Sequence, residues 1–290
     1  MYDVIIIGKG PAGISASLYT VRANLKTLVI GKNDSSLWKA EKIENYYGFS
    51  QVIRGQDLLE EGEKQATRLG AEILNDKVIS IEGNEHFEIL TSDGKFAAKA
   101  VLIATGQPLK KVRVENLELF EGKGVSYCST CDGFFYNNLK VGVLGYSDYA
   151  LHEAIELEAF TKDITIYTNG KELEINSQFE KDVERFNVVD KQVYRIDGGE
   201  FLQKIFFKDG TSEDIDGLFV AYESPSSADF AKKLGIVTDN NAITVDSDQR
   251  TNIPGVFAAG DCTGGFKQIS TAVGQGAVAG KKIIEYVRNL

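Results

Sequence analysis

Short apolar runs closed by glycine alternate with amphipathic stretches along this chain. Val4-Ile5-Ile6-Ile7 ends at Gly8 and has the pattern of a parallel strand buried on both faces. A helical pattern follows to Arg22, and a second apolar run covers residues 27–30. Strand, helix and strand make a βαβ start. Residues 54–69 predict a helix. Residues 86–91, a turn at Asp93-Gly94 and residues 99–104 predict a hairpin that ends at Ala104-Thr105-Gly106. The order then repeats, with a strand at 141–144, a helix at 149–160 and a strand at 163–167. A hairpin of 193–196 and 202–207 around Gly198-Gly199 follows, then a strand at 217–222. This is a weak internal duplication. A last strand, 255–258, and a long helix, 268–287, have the character of the first unit.

The predicted fold is therefore α/β, with two Rossmann-like, dinucleotide-binding-type domains. The first is discontinuous, residues 1–113 plus 245–290, and the second, 114–244, is inserted into it. The joints fall at residues 110–113 and 241–245.

The 290 residues are 43% apolar and 26% charged, as in a globular protein. No apolar run approaches the roughly 20 residues of a spanning helix. Met1 to Ile7 has no basic leader and runs straight into a structural motif, so a cytoplasmic protein with no membrane partner is expected. The net charge of −10 is uneven: residues 114–244 hold 12 Lys/Arg against 24 Asp/Glu, and the remainder holds 20 against 18. Acidic surface aids solubility. It also makes the central segment a poor host for an anionic nucleotide, and no nucleic-acid partner is expected.

Gly8-x-Gly10-x-x-Gly13 lies between a strand and a helix, the context that gives this motif its meaning. Gly8 allows the turn, Gly10 lets backbone approach a pyrophosphate, and Gly13 permits close helix–strand packing. Pro11 and Ala12 open the helix whose N-terminus faces the phosphates. The acidic residue expected about 20 positions on, for a ribose, is missing; the strand ends Val29-Ile30-Gly31-Lys32. A second chemistry sits at Cys128-Ser-Thr-Cys131-Asp132-Gly133. A C-x-x-C at a helix start can lower a thiol pKa from about 8.5 toward 7. One sulfur can attack a disulfide while the other resolves the product, and Asp132 is placed to pass protons to the departing thiolate. A zinc site needs about four ligands, and Cys262, His86 and His152 do not cluster with the pair in sequence. No metal is expected, and Cys262 reads as a packed thiol.

Together with Glu44-Asn45-Tyr46-Tyr47-Gly48, Ala104-Thr105-Gly106 and Gly260-Asp261-Cys262, these motifs resemble the low-molecular-weight thioredoxin reductases over essentially the full length. The resemblance implies a homodimer with FAD in the discontinuous domain and the redox dithiol on the inserted one. It implies that Asp261 binds the ribityl chain, that Gly260 allows close approach, and that Asn45, Thr105 and Gly106 lie at the cofactor. Gln268 and Ile269 would open a helix aimed at the flavin pyrimidine. It further implies that Cys131 faces the flavin, Cys128 attacks thioredoxin and Asp132 acts as acid and base.

Ordinary members bind NADPH on the inserted domain through G-x-G-x-x-A and a following basic cluster. Here the fingerprint is Gly145-Tyr146-Ser147-Asp148-Tyr149-Ala150, with Ser147 at the second glycine. The next strand ends Ile166-Tyr167-Thr168-Asn169-Gly170, without an arginine for a 2′-phosphate; Lys171 is a poor substitute. In this the chain resembles the pyridine-nucleotide-independent branch, the ferredoxin-dependent flavin thioredoxin reductases. The expected function is thioredoxin reduction with reduced ferredoxin as donor. The alternatives are an NADPH-dependent thioredoxin reductase and an oxygen-dependent dithiol oxidase. Lys39, Lys42, Lys110, Lys111 and Arg113 are candidate ferredoxin contacts or ordinary solvated cations. Trp38, Tyr46 and Tyr47 either shield the flavin or belong to a core.

Overall fold

The computed structural model describes residues 1–106 and 112–290; Lys110 and Lys111, named above as docking candidates, lie outside the described residues. The chain divides into two compact units, Met1–Leu109 with Ser226–Leu290, and Lys110–Pro225.

The first apolar run becomes β1 (Tyr2–Ile7), followed by α1 (Pro11–Arg22) and β2 (Thr27–Ile30). Then come α2 (Gly55–Arg68), β3 (Glu72–Leu74), β4 (Val78–Gly83), β5 (Phe87–Thr91) and β6 (Gly94–Ile103). The sheet order is β3-β2-β1-β6-β5-β4. β6 starts at the turn glycine, earlier than its apolar half predicts. Its first half pairs antiparallel with β5, and its buried second half pairs parallel with β1. Alternation along β1 supplies two core layers. Val4 and Ile6 join Ala12, Ala16 and Ile283 on one face, while Ile5 and Ile7 join Ile81, Phe87 and Ile89 on the other.

In the second unit, β7 (Val125–Ser126) leads into the four-residue α3 (Ser129–Asp132). β8 (Val141–Leu144), α4 (Asp148–Leu157) and β9 (Ile164–Tyr167) repeat the βαβ start. A single turn, α5 (Glu180–Val183), precedes β10 (Asn187–Val189). β11 (Val193–Gly198), β12 (Leu202–Phe207) and β13 (Ser212–Asp214) form an antiparallel sheet, and β14 (Gly217–Val220) returns to the parallel one. That sheet runs β10-β9-β8-β14-β7, with every neighbouring pair parallel.

The chain returns to the first unit at α6 (Ser227–Leu234), β15 (Thr238–Asp239) and β16 (Ala242–Ile243). The predicted boundary at 244/245 placed these elements in the inserted domain. Packing places them in the first unit, because Phe230, Ala231, Ile236 and Ile243 are buried in the core layer of Ile5 and Phe87. β17 (Val256–Ala258) adds to β6, and α7 (Ile269–Arg288) lies on α1. Small residues make that contact close: a Cβ on Gly276 would sit 2.1 Å from the Ala12 carbonyl oxygen.

Candidate functional site: a nucleotide cradle, a disulfide turn and a broken fingerprint

The three N-terminal glycines differ in what surrounds them. Gly8 has φ +109°, and a Cβ there would lie 2.2 Å from the Ala104 carbonyl oxygen. A Cβ on Gly13 would lie 1.9 Å from the Gly8 carbonyl oxygen. Nothing lies within 4 Å of a Cβ on Gly10. The outer glycines are thus required by the fold, while the middle one faces open space where a phosphate group can approach. Pro11 fills the first helical position and, among the described residues, no side chain caps α1, which suits its N-terminal N–H groups to a ligand. Lys9, buried in this loop, pairs with Glu63 at 3.0 Å.

Residues far apart in sequence meet around the cradle. Asn45 Nδ2 donates to Gln268 Oε1 at 2.9 Å, joining the segment after α1–β2 to the N-cap of α7. The Gly260 N–H, at φ +84°, donates to Gln275 Oε1 at 2.8 Å. Thr105 Oγ1 is buried with no hydrogen-bond partner among the described residues. A buried hydroxyl left unpaired costs free energy, so Thr105 fits a site completed by a polar ligand. Cys262 is inert: burial pushes its thiol up to about 12, and its Sγ donates to the Ile103 and Ala259 carbonyls. Trp38 and Tyr46 are half-buried, whereas Tyr47 is 96% exposed and belongs to no core.

In the second unit Cys128 and Cys131 form a disulfide across α3. Cys128 is 2% exposed and Cys131 is exposed. Cys128 Sγ accepts the Cys131 N–H at 3.2 Å. Ser126 ties the turn to Asp132: its Oγ donates to Asp132 Oδ2 at 2.6 Å and accepts the Cys128 N–H at 3.1 Å. Asp132 is therefore held one hydroxyl away from the Cys128 backbone. Gly133 is needed for packing, since a Cβ there would lie 2.6 Å from the Phe160 ring. Phe134 and Phe135 follow, both largely exposed and edge-to-face at 6.1 Å. α3 has four residues, so it brings less helix dipole to the sulfurs than a longer helix start would.

The broken fingerprint keeps its fold-required glycine and ties its other residues to neighbouring loops. A Cβ on Gly145 would lie 2.1 Å from the Ala221 carbonyl oxygen. Ser147, at the N-cap of α4, donates from Oγ to the Glu223 carbonyl at 2.7 Å. The Tyr146 carbonyl accepts the Glu174 N–H at 2.7 Å, and Asp148 Oδ1 accepts the Asn176 N–H at 2.8 Å. The segment 174–176 is thus laced to the start of α4. Tyr146 stacks edge-on to Tyr222 at 5.2 Å. Burial, then the Glu223 carboxylate, Tyr222 and Glu174, push its phenol up to about 12. Those acidic neighbours repel a pyrophosphate. At the end of β9, Thr168 Oγ1 donates to the Lys171 carbonyl at 2.7 Å and Asn169 Oδ1 accepts the Val193 N–H at 2.9 Å. The polar side chains at the end of β9 are thus spent on the protein's own backbone.

A family model described as pyridine nucleotide-disulphide oxidoreductase matches residues 2–276. The thioredoxin reductase of Listeria monocytogenes is 32% identical over 314 residues, covering 100% of this chain and 95% of the relative. The chain belongs to the thioredoxin reductase family of low molecular weight. Among solved structures it is similar to the atypical thioredoxin reductase of Desulfovibrio vulgaris Hildenborough, at 42% identity and TM-score 0.94, covering 100% of this chain and 99% of that one. It is also similar to a ferredoxin-flavin thioredoxin reductase of Clostridium acetobutylicum, at 32% identity and TM-score 0.72, covering 100% and 99%. As a thioredoxin reductase homologue it is a flavin-disulfide oxidoreductase that binds FAD.

The cradle residues fit that cofactor. Gly8, Gly10, Pro11, Ala12, Gly13, Asn45, Thr105, Gly106, Gly260, Asp261, Gln268 and Ile269 all fall in the first unit, and the structure joins Asn45 directly to Gln268. Cys128, Cys131 and Asp132 fall in the second. Sequence reasoning missed four residues. Ser126 and Gln275 carry no motif of their own. Glu153 and Glu156 reach the disulfide turn from α4: Glu153 Oε2 accepts the Ser129 N–H at 3.1 Å, and Glu156 Oε2 accepts from the hydroxyls of Ser129 and Thr130. The one available signal was their i,i+3 spacing behind a C-x-x-C.

Proposed function

We propose that this protein is a thioredoxin-disulfide reductase that draws electrons from reduced ferredoxin rather than NADPH. The observation that carries the reading is the broken fingerprint, where Ser147 stands at the second glycine and bonds the Glu223 carbonyl, and the Glu223 and Glu174 carboxylates lie near enough to push the Tyr146 phenol up. The missing phosphate-binding arginine and the likeness to the Clostridium acetobutylicum ferredoxin-flavin enzyme support it.

Bound FAD supplies the ability to take electrons singly and pass them on as a pair. Iron–sulfur carriers reach about −400 mV and thioredoxin about −270 mV, so transfer is downhill by about 130 mV, or ~6 kcal/mol for two electrons. Two reduced ferredoxins and two protons convert one thioredoxin disulfide into a dithiol. In this reading Cys131 is the sulfur that faces the flavin, Cys128 attacks thioredoxin, and Asp132, held by Ser126, moves the proton. Cys128 is 2% exposed, so its attack needs that residue uncovered. The exposed Phe134–Phe135 pair suits a protein substrate better than a small dithiol. Lys39, Lys42 and Arg113 are exposed and suit an acidic donor. A cytoplasmic homodimer completes the reading; no described helix is long and apolar enough to cross a membrane.

The test is stoichiometric turnover under anaerobic conditions. Reduced ferredoxin should reduce thioredoxin with two ferredoxins oxidised per disulfide, and NADPH should not replace it. Turnover with NADPH at a comparable rate overturns the proposed donor. Oxygen consumption driven by a small dithiol, without thioredoxin reduction, overturns the proposed direction.

A further inference from the structure

The residues between the two cysteines are held by carboxylates from another element. Glu153 and Glu156 lie one turn apart on α4. Glu153 is 1% exposed, and its Oε2 accepts the Ser129 N–H at 3.1 Å, one peptide from Cys128. Glu156 Oε2 accepts from Ser129 Oγ and from Thr130 Oγ1, while its Oε1 faces His152 Nε2 at 3.2 Å. Asp132 adds a third carboxylate at the turn, bonded to Ser126. These contacts use the glutamate oxygens as acceptors.

Reducing the disulfide breaks the Cys128–Cys131 bond, adds two electrons and two protons, and leaves thiols that ionise to thiolates by releasing those protons. An adjacent anion leaves the neutral disulfide untouched and disfavours the thiolate. Where a fold stabilises the thiolate strongly, the disulfide becomes a strong oxidant; DsbA, with a thiol pKa near 3.5, is the extreme. An enzyme that must hand electrons to thioredoxin needs the opposite bias.

We propose that Glu153 and Glu156 are positioning residues that fix the Ser129-Thr130 turn in an anionic setting and thereby keep the Cys128–Cys131 pair strongly reducing. This rests on the assignment of that pair as the redox dithiol. Glutamine at either position keeps an acceptor for the Ser129 N–H or the two hydroxyls and removes the charge. Aspartate at 156 keeps the charge and shortens the reach.

The experiment equilibrates the FAD-bound enzyme at pH 8 with mixtures of reduced and oxidised dithiothreitol. After acid quench, the Cys128/Cys131 thiols are counted by alkylation, with buried Cys262 as a constant offset. The exchange is protein disulfide plus dithiothreitol giving protein dithiol plus oxidised dithiothreitol. Glu156→Gln, and Glu153→Gln where it retains FAD, should move the equilibrium about threefold or more toward the protein dithiol. Glu156→Asp should stay within twofold of wild type. Equal constants for wild type and Glu156→Gln overturn the inference alone, as does a Glu156→Asp shift as large as that of Gln, which marks a purely structural contact. A wild-type pair that never exchanges overturns the redox assignment along with it.

Discussion

At the scale of single residues, the two nucleotide fingerprints share a sequence pattern and differ in what a side chain at the middle position meets. A Cβ on Gly10 has nothing within 4 Å. Gly10→Ala should therefore leave the fold intact and weaken FAD binding, read as flavin released on gel filtration while the far-ultraviolet circular dichroism is unchanged. Gly8→Ala should destabilise the fold itself, because of the 2.2 Å approach to the Ala104 carbonyl and a φ of +109°. At the other fingerprint, Ser147→Gly removes the hydrogen bond to the Glu223 carbonyl. It should cost about 1 kcal/mol and lower Tm by a few degrees without conferring NADPH binding, since Glu174 and Glu223 remain. Gain of NADPH reactivity from this one change would contradict the view that those carboxylates also disfavour a nucleotide. Ser147 was readable as a defect in the sequence. That it is bonded to Glu223, 76 residues on, was not, because a serine's partner depends on which loops the sheet brings together.

At the scale of elements, periodicity and glycine punctuation located β1, α1, β2, β8, α4, β9 and α7 to within a few residues, because buried parallel strands are continuous apolar runs. Elements whose pattern is short or whose burial is one-sided were less legible. β4 follows Asp76 and Lys77 closely, and α3 spans four residues. α6 was the costliest miss: the first unit was read as resuming only with the strand at 255–258, yet Phe230 and Ala231 bury α6 in that unit. Its start is fixed by a capping box, in which the Ser226 side chain takes the Asp229 N–H and the Asp229 side chain takes the Ser226 N–H. Ser226→Ala should cost about 1 kcal/mol of stability, measured by urea unfolding followed at the flavin, with little change at the disulfide turn. The candidate site was legible in the same uneven way. C-x-x-C-D pointed to the Cys128–Cys131 disulfide in one line, whereas the carboxylates of α4 that bond its turn needed the βαβ crossover to arrive there.

At the scale of the whole molecule, the second unit keeps a Rossmann-like βαβ start while residues 174–176 of its own chain bond to the start of α4. The retained features are those that serve the disulfide: Gly133 against Phe160, Ser126 to Asp132, and α4 against the Ser129-Thr130 turn. Cys128→Ser or Cys131→Ser should abolish thioredoxin reduction while FAD remains bound, because every cradle residue lies in the other unit; loss of flavin in both variants would contradict that separation. The central claim concerns where the electrons come from, and the absorbance of the bound flavin reads it most directly. Oxidised enzyme is mixed anaerobically in a stopped-flow cell with reduced ferredoxin, NADPH or NADH, each at micromolar concentration. Bleaching near 450 nm within seconds by ferredoxin alone is the predicted result, and rapid bleaching by NADPH would contradict the account.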